Sequence, residues 1–511
     1  MNLWKTSCAL VVTLAFCATA AMAQDQKQDQ NPSPIDPNAP LQPLDTTPGG
    51  GSSTRPPIGV ARGGITASSE PQPYDPSQVT PDQNTLAGAA PFTLGSLQHS
   101  VNIFDPAISV SQIGQAVPGN TGKTILTGVS VASASLNFNR TWSEYRFTTL
   151  YNGGETFNLG YGPATSFFGV TSPHYQFHNL AITQQADWAR WHVLIRDDFT
   201  ASPGAAFSGQ GMGGPGLSAQ FSSMLGSSLN GFAQSFVPSQ TINTVEAMRY
   251  MNSVLGQAAY SFSRRSAFTF AASYGLLHFT VPGFQNTDMY NAQAGYDYLL
   301  DPSNSIAILA SYGRIDYTGT GKSTTDYVGA LAYGRKITGR LAFQIAAGPQ
   351  QIHMAIPVGG TGNFQIWFAS VNSALTYERR RSGVSFNFVR GLTGGSGIFL
   401  GATSDTFSAG AHYQFTRNWT GSINGGYALN NSLAPAGGVT TQFDNWFAAA
   451  NLGRQLGQHA AVNFNYGALR QNNPVAFCTT GTVAICSGNG LQQSVGVSLN
   501  LHLRPLGLEG R

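Results

Sequence analysis

From about residue 104 onward, large apolar side chains alternate with small or polar ones, one for one, over segments of about 9 to 15 residues. Period two is the spacing of an extended strand, whose successive side chains point to opposite faces. Phe268, Phe270, Ala272, Tyr274 and Leu276 fall on one face of such a segment, and Thr269, Ala271, Ser273 and Gly275 on the other. Leu341, Phe343 and Ile345 alternate with Ala342, Gln344 and Ala346, and Val495, Val497, Leu499, Leu501 and Leu503 with Gly496, Ser498, Asn500, His502 and Arg504. Very short connections take turns with longer ones between the segments, which is the rhythm of an antiparallel meander.

The nature of the second face decides where the first one goes. In a soluble sandwich the polar face meets water and carries Lys and Glu; here it carries mostly Gly, Ser, Ala, Asn, Thr and Gln. Only 10% of the chain is charged, against about 25% for an ordinary soluble domain. Apolar residues facing lipid, and small polar ones facing a lumen, satisfy both observations. The reading is therefore an all-β transmembrane antiparallel up-and-down β-barrel, not a soluble sandwich, β-helix or surface fibre. The formal charge of +3 implies no nucleic-acid-binding surface.

Residues 1–23 read as a secretory signal peptide: Lys5, an apolar run from Ala9 to Ala18, then Ala21-Met22-Ala23 before Gln24. A lipid-anchored Cys17 is disfavoured by the bulky Phe16 before it. Residues 24–95 hold 13 of the 27 prolines and show neither apolar period, so they read as a disordered, Pro-rich periplasmic arm. Residues 96–511 form the barrel domain. Cys478 and Cys486, close together in an exported chain, favour a local disulfide.

Signal, arm, repeated dyad strands and a strand near the C-terminus make residues 104–504 resemble the porin-like outer-membrane β-barrels of Gram-negative bacteria. One departure is the end of the last strand, Leu503 followed by Pro505 to Arg511, where such barrels usually place an aromatic residue. The candidate strands number eighteen, with sixteen as the alternative, and the first, 104–114, is the least regular because Pro106 interrupts it. Eighteen strands tilted by about 40° give a backbone diameter of about 36 Å.

Tight turns such as Asp301-Pro302-Ser303-Asn304, Thr338-Gly339 and Arg417-Asn418 are assigned to the periplasm, and the long connections at 154–177, 201–247 and 471–489 to the outside. This assignment gathers Arg264, Arg265, Arg335, Lys336, Arg340, Arg379, Arg380 and Arg381 on a basic periplasmic rim, with Arg140, Arg190, Arg417 and Arg454 beside them. Outer-membrane lipid is the expected partner of that rim, with peptidoglycan or another periplasmic partner as the sharper alternative.

Within 201–247, Leu217, Phe221, Leu225, Phe232 and Phe236 recur at near-helical spacing. The resemblance to general porins implies that such a loop folds inward and narrows the pore; a surface lid is the equal alternative. An inward helix needs apolar patches on the lumen wall, and Leu309, Ile366 and Phe368 are the candidates on otherwise polar faces. His174 and His178, on an expected loop, lack a third metal ligand. No nucleophile elbow, H-E-x-x-H, P-loop or dinucleotide motif occurs, and His278 with Asp288, or His353, is the nearest approach to catalytic chemistry. The expectation is thus no enzyme, no cofactor and no metal. A channel for passive diffusion of small solutes, as monomer or homotrimer, leads; a docking protein with a closed lumen follows. Energised uptake, as in the 22-stranded family with a folded plug, fits poorly with an arm so short and Pro-rich.

Overall fold

The computed structural model describes residues 103–118, 124–158, 174–203, 248–280, 284–319, 322–355, 363–379, 381–394, 401–433, 442–457, 459–472, 479–480, 483–484, 490–502 and 506–507. Eighteen long strands follow in chain order: β1 Ile103–Pro118, β2 Thr124–Trp142, β3 Tyr145–Asn158, β4 His174–Asp187, β5 Trp191–Pro203, β6 Met248–Ser261, β7 Ser266–Phe279, β8 Thr287–Asp301, β9 Asn304–Tyr317, β10 Lys322–Lys336, β11 Leu341–Ala355, β12 Asn363–Arg379, β13 Ser382–Thr393, β14 Ala402–Gln414, β15 Trp419–Ser432, β16 Gln442–Gln455, β17 Ala460–Asn472 and β18 Gly490–His502. Each pairs antiparallel with the next, and β18 pairs with β1, Ala107 opposite His502 through Ala116 opposite Gln493, so the sheet closes on itself. Closure leaves no strand edge in the hydrocarbon, the condition for a sheet to cross a membrane. Among the described residues no helix is long and apolar enough to do so.

The register also fixes the slope of the wall. One row of partners starts at Ile103, the first residue of β1, and runs Asn139, Thr148, Thr183, Arg196, Leu255, Ser273, Asn291, Gly313, Asp326 and Ile352 to Ile366, near the opposite end of β12. Carried round all eighteen strands, the offsets accumulate to a shear of about 22 residues, which tilts the strands by about 40°. The first strand exists, and it pairs with the C-terminal segment on both sides of Pro106, at Ala107–His502 and at Phe104–Leu506.

Facing is consistent with this register. Ile108, Val110, Phe270, Ile308, Leu331, Trp367, Ile423 and Val495 point outward and are exposed, as a lipid-contacting wall requires. Two aromatic levels border this wall. At the short-turn end Trp142 stacks on Tyr145 with centroids 6.1 Å apart, Trp191 meets Tyr260 at 4.8 Å, and Phe268 meets Tyr296 at 5.3 Å. Toward the loop end Tyr274 meets Tyr290 at 5.2 Å and Tyr312 meets Tyr327 at 5.4 Å. Between them lie Ala272, Ala292, Ala310, Gly329 and Ala347, all outward. These are the girdles of a membrane-spanning barrel of the outer-membrane type.

The tight turns are closed by their own side chains. Asp301 Oδ1 accepts from the Ser303 and Asn304 N–H groups at 2.7 and 2.9 Å, and Thr338 Oγ1 accepts from those of Arg340 and Leu341 at 3.2 and 3.0 Å. Such local acceptors are what favour Asp and Thr in turns.

Candidate functional site

The inner wall is the surface that a solute in this barrel would meet. Its residues are those of the small, polar parity: on β5 His192, Leu194, Arg196, Asp198 and Thr200, on β6 Arg249, Met251, Ser253, Leu255 and Gln257, on β18 Ser494, Gly496, Ser498 and Asn500. The first charged pair on it is made within one strand. Arg196 donates through Nε and Nη2 to both carboxylate oxygens of Asp198, at 2.7 and 2.8 Å, and both residues are buried. Residues two apart on a strand share a face, so a fork meets a carboxylate without help from a neighbour. At the short-turn end the His192 ring bonds to Asp187, whose second oxygen accepts from Gln185 Nε2 at 2.7 Å.

Three inward charges on β6, β8 and β10 are left incompletely satisfied among the described residues. Asp326 is 0% exposed; Gln350 donates to its Oδ2, while Oδ1 has no partner among the described residues. Asp297 accepts from Thr269 at 3.1 Å through Oδ2 alone. Arg249, 3% exposed near the loop end of β6, has neither Nε nor Nη1 bonded within the described residues. Asn291, in the same register row as Asp326, points an unbonded Oδ1 inward, and Gly313 between them has no side chain.

Toward the loop end the inner wall turns apolar. Met289 of β8, Ile315 and Tyr317 of β9, Ile352 and Met354 of β11, Leu392 of β13 and Leu433 form one buried cluster, with Ile366 and Phe368 of β12 packed against it. Leu392 has the outward parity of β13, yet it is fully buried here, at a level where pairing between β12 and β13 has stopped at Val371–Arg390. Gly401, at φ +90°, allows the approach: a Cβ there would lie 2.9 Å from Leu433 Cδ1 and 3.0 Å from the Tyr317 hydroxyl. Ile113, Val129, Val131 and Phe177 form a second apolar patch on β1, β2 and β4, also toward the loop end. Together these patches make an apolar collar on the mouth of the barrel.

The residues singled out from the sequence distribute as follows. Leu309 lies on the inner wall in a cluster with Ala307, Val328, Ala330, Ala332 and Ala346, and Ile366 and Phe368 lie beside the larger cluster. Leu217, Phe221, Leu225, Phe232 and Phe236, the disulfide candidates Cys478 and Cys486, and Arg380 are outside the described residues, as are the segments 1–23 and 24–95. Arg264, Arg265, Arg335, Arg340, Arg379 and Arg381 are exposed at the short-turn end, and Lys336 is half-buried there. His174 and His178 sit on β4 and not on a loop: a spacing of four keeps two residues on one face of a strand as well as of a helix. His178 Nδ1 lies 3.0 Å from the Tyr151 hydroxyl, and His174 is 3.8 Å from Glu155, on the outward face. Asp288 is bonded not by His278 but by Tyr274 and Thr318, at 3.2 and 3.4 Å. His353 packs edge-on against Tyr327. Among the described residues no group of three or more His, Cys, Asp or Glu could hold a metal.

The collar residues Met289, Ile315, Ile352 and Leu392 and the charges Arg196, Asp198, Arg249, Asp297 and Asp326 were not singled out by sequence. For all but Leu392, which has the outward parity, their signal was a large apolar or charged residue on a parity otherwise filled by Gly, Ser and Asn.

No protein-family description matches the chain, and no curated protein matches it. Solved structures do. Pseudomonas aeruginosa OccK2 (OpdF) is similar at a TM-score of 0.38 and 9% identity, over 80% of this chain and 100% of that one. Acinetobacter baumannii OccAB3 is similar at 0.38 and 8%, over 78% and 99%. The ferric citrate transporter FecA is similar at 0.38 and 9%, over 80% of this chain and 79% of that one.

Proposed function

We propose that this barrel is a channel and not an enzyme, through which small solutes diffuse passively. The observation that carries the reading is the inner wall: a closed ring of eighteen strands presenting mostly Gly, Ser, Asn, Thr and Gln inward, with scattered buried charges. A wall of short side chains leaves room inside a ring of this circumference.

We propose further that the segment 201–247, nearly all of it outside the described residues, narrows the lumen, a surface lid being the alternative. The apolar collar supports this, because Leu217, Phe221, Leu225, Phe232 and Phe236 need apolar partners inside, each costing about 1.5 to 3 kcal/mol if left in water. The second reading is a docking protein with a closed lumen, its Pro-rich arm or basic rim held by peptidoglycan or another periplasmic partner; the thorough burial of the inner wall from β5 to β11 favours it. Purified protein in a planar bilayer separates the two. Stepwise conductance is the expected result, and a silent, fully assembled barrel would establish the docking reading instead.

A further inference from the structure

The two ends of the outward wall handle charge in opposite ways. Toward the loop end, two of the three outward arginines of the described residues are neutralised within the sheet, Arg470 being the exception: Arg314 Nε lies 2.8 Å from Asp316, and Arg390 Nε lies 3.4 Å from Asp405. Outward acids accompany them there, Glu155, Asp288 and Asp444 among others. At the short-turn end the outward Arg and Lys side chains form no salt bridge among the described residues, Arg335 acting on Asp301 only at longer range, and the pair made there, His192 with Asp187, lies on the inner face.

Four of those cations, Arg140, Arg335, Arg379 and Arg454, lie within the last three residues of their strands and carry the outward, lipid-facing parity. All four are exposed. Two sit over girdle tryptophans on the same face: the Arg140 Cζ is 5.8 Å from the Trp142 ring centroid, and the Arg454 Cζ is 5.2 Å from that of Trp419. An arginine laid on an indole keeps the outer edge of its guanidinium free, presenting forked donors at the depth where headgroups lie.

We infer that this outward set binds the phosphate of anionic phospholipids in the leaflet at the short-turn end, with the girdle aromatics holding the glycerol and upper acyl region. A cell-wall polymer would be met from below, by the turn cations Arg190, Arg264, Arg265 and Arg340, which project off the rim. The sideways parity of the four, level with the Trp and Tyr girdle, selects lipid. The inference stands whether or not the lumen conducts.

The test is to reconstitute the barrel in vesicles of phosphatidylethanolamine and phosphatidylglycerol, extract it mildly, and measure by mass spectrometry the phosphatidylglycerol fraction that co-purifies. Wild type should retain it at several times the bulk fraction, the variant R140Q/R335Q/R379Q/R454Q at the bulk fraction, and the turn variant R190Q/R264Q/R265Q/R340Q as wild type. Molar salt during extraction, which screens charges beyond about 3 Å, should abolish the enrichment in wild type; this arm needs no variant to fold. A wild type at the bulk fraction, enrichment that survives salt, or enrichment that survives the outward substitutions would overturn the inference. Co-sedimentation with peptidoglycan sacculi that depends on the turn set, without lipid enrichment, would replace it with the cell-wall reading.

Discussion

Gln350 donates its side-chain N–H to Asp326 across the β10–β11 pair, and the other oxygen of that carboxylate, buried in the inner wall, accepts nothing from the described residues. A buried charge with half its bonding unmet is among the costliest groups in a fold. Asp326→Asn removes the charge and leaves Gln350 an acceptor. The variant should unfold at higher temperature in a gel heat-modifiability series, by an amount corresponding to about 1 to 3 kcal/mol. A lower transition temperature would mean that the carboxylate is compensated by a cation.

The apolar collar is tested at its tightest points. Leu392 is fully buried among Met289, Ile315 and Ile352, so Leu392→Ala should cost about 2 to 5 kcal/mol if the cavity does not collapse. Gly401→Ala forces a Cβ into contact with Leu433 at φ +90°, and costs more than the approximately 1 kcal/mol that an unstrained glycine replacement involves. Urea titration of the detergent-folded barrel reads both, and midpoints equal to wild type would mean that the collar carries no packing energy.

Facing can be tested on two neighbours in β14. Ala409 points outward opposite Gly425, and Ser408 points inward opposite Gly426. Ala409→Arg should cost about 2 to 4 kcal/mol, the price of a cation at the bilayer midplane, while Ser408→Arg assembles near wild-type yield and changes conductance. Equal tolerance of the two in vesicle folding yields would contradict the lipid-facing assignment.

Deleting residues 208–238 should raise single-channel conductance severalfold without preventing assembly. The strands on either side, β5 and β6, pair from Trp191–Tyr260 to Pro203–Met248 without that segment. Unchanged conductance in an assembled deletion variant would make the segment a surface lid.

The barrel was legible because lipid imposes one rule on every strand. Phe268 and Thr269, or Val497 and Ser498, declare opposite faces by composition alone, and the structure places them so. Pro106 made β1 the least regular strand in the sequence, yet the strand forms, and its partners on either side of that proline, His502 and Leu506, lie about 400 residues further along the chain. The collar was less legible. Leu309, Ile366 and Phe368 stand out as apolar residues on polar faces, but Met289 and Leu392 meet only because the register slopes and because β13 leaves β12 at Arg390, which no local pattern encodes.

Closure by β1 and β18 has a consequence for biogenesis. Ile108 finds Ala134 on its own hairpin early, but its other neighbour, Leu501, emerges only about 390 residues later. Bringing such distant segments together adds little equilibrium cost, since loop-closure entropy rises only logarithmically with length. Its kinetic effect is large, because contacts between remote parts of a chain form late. Until the last strand arrives, β1 and β17 each expose a row of amide and carbonyl groups that hydrocarbon cannot satisfy. A chain truncated before Gly490 is therefore no smaller pore but a sheet with two raw edges, and the cell must hold every copy soluble in transit until β18 has been made.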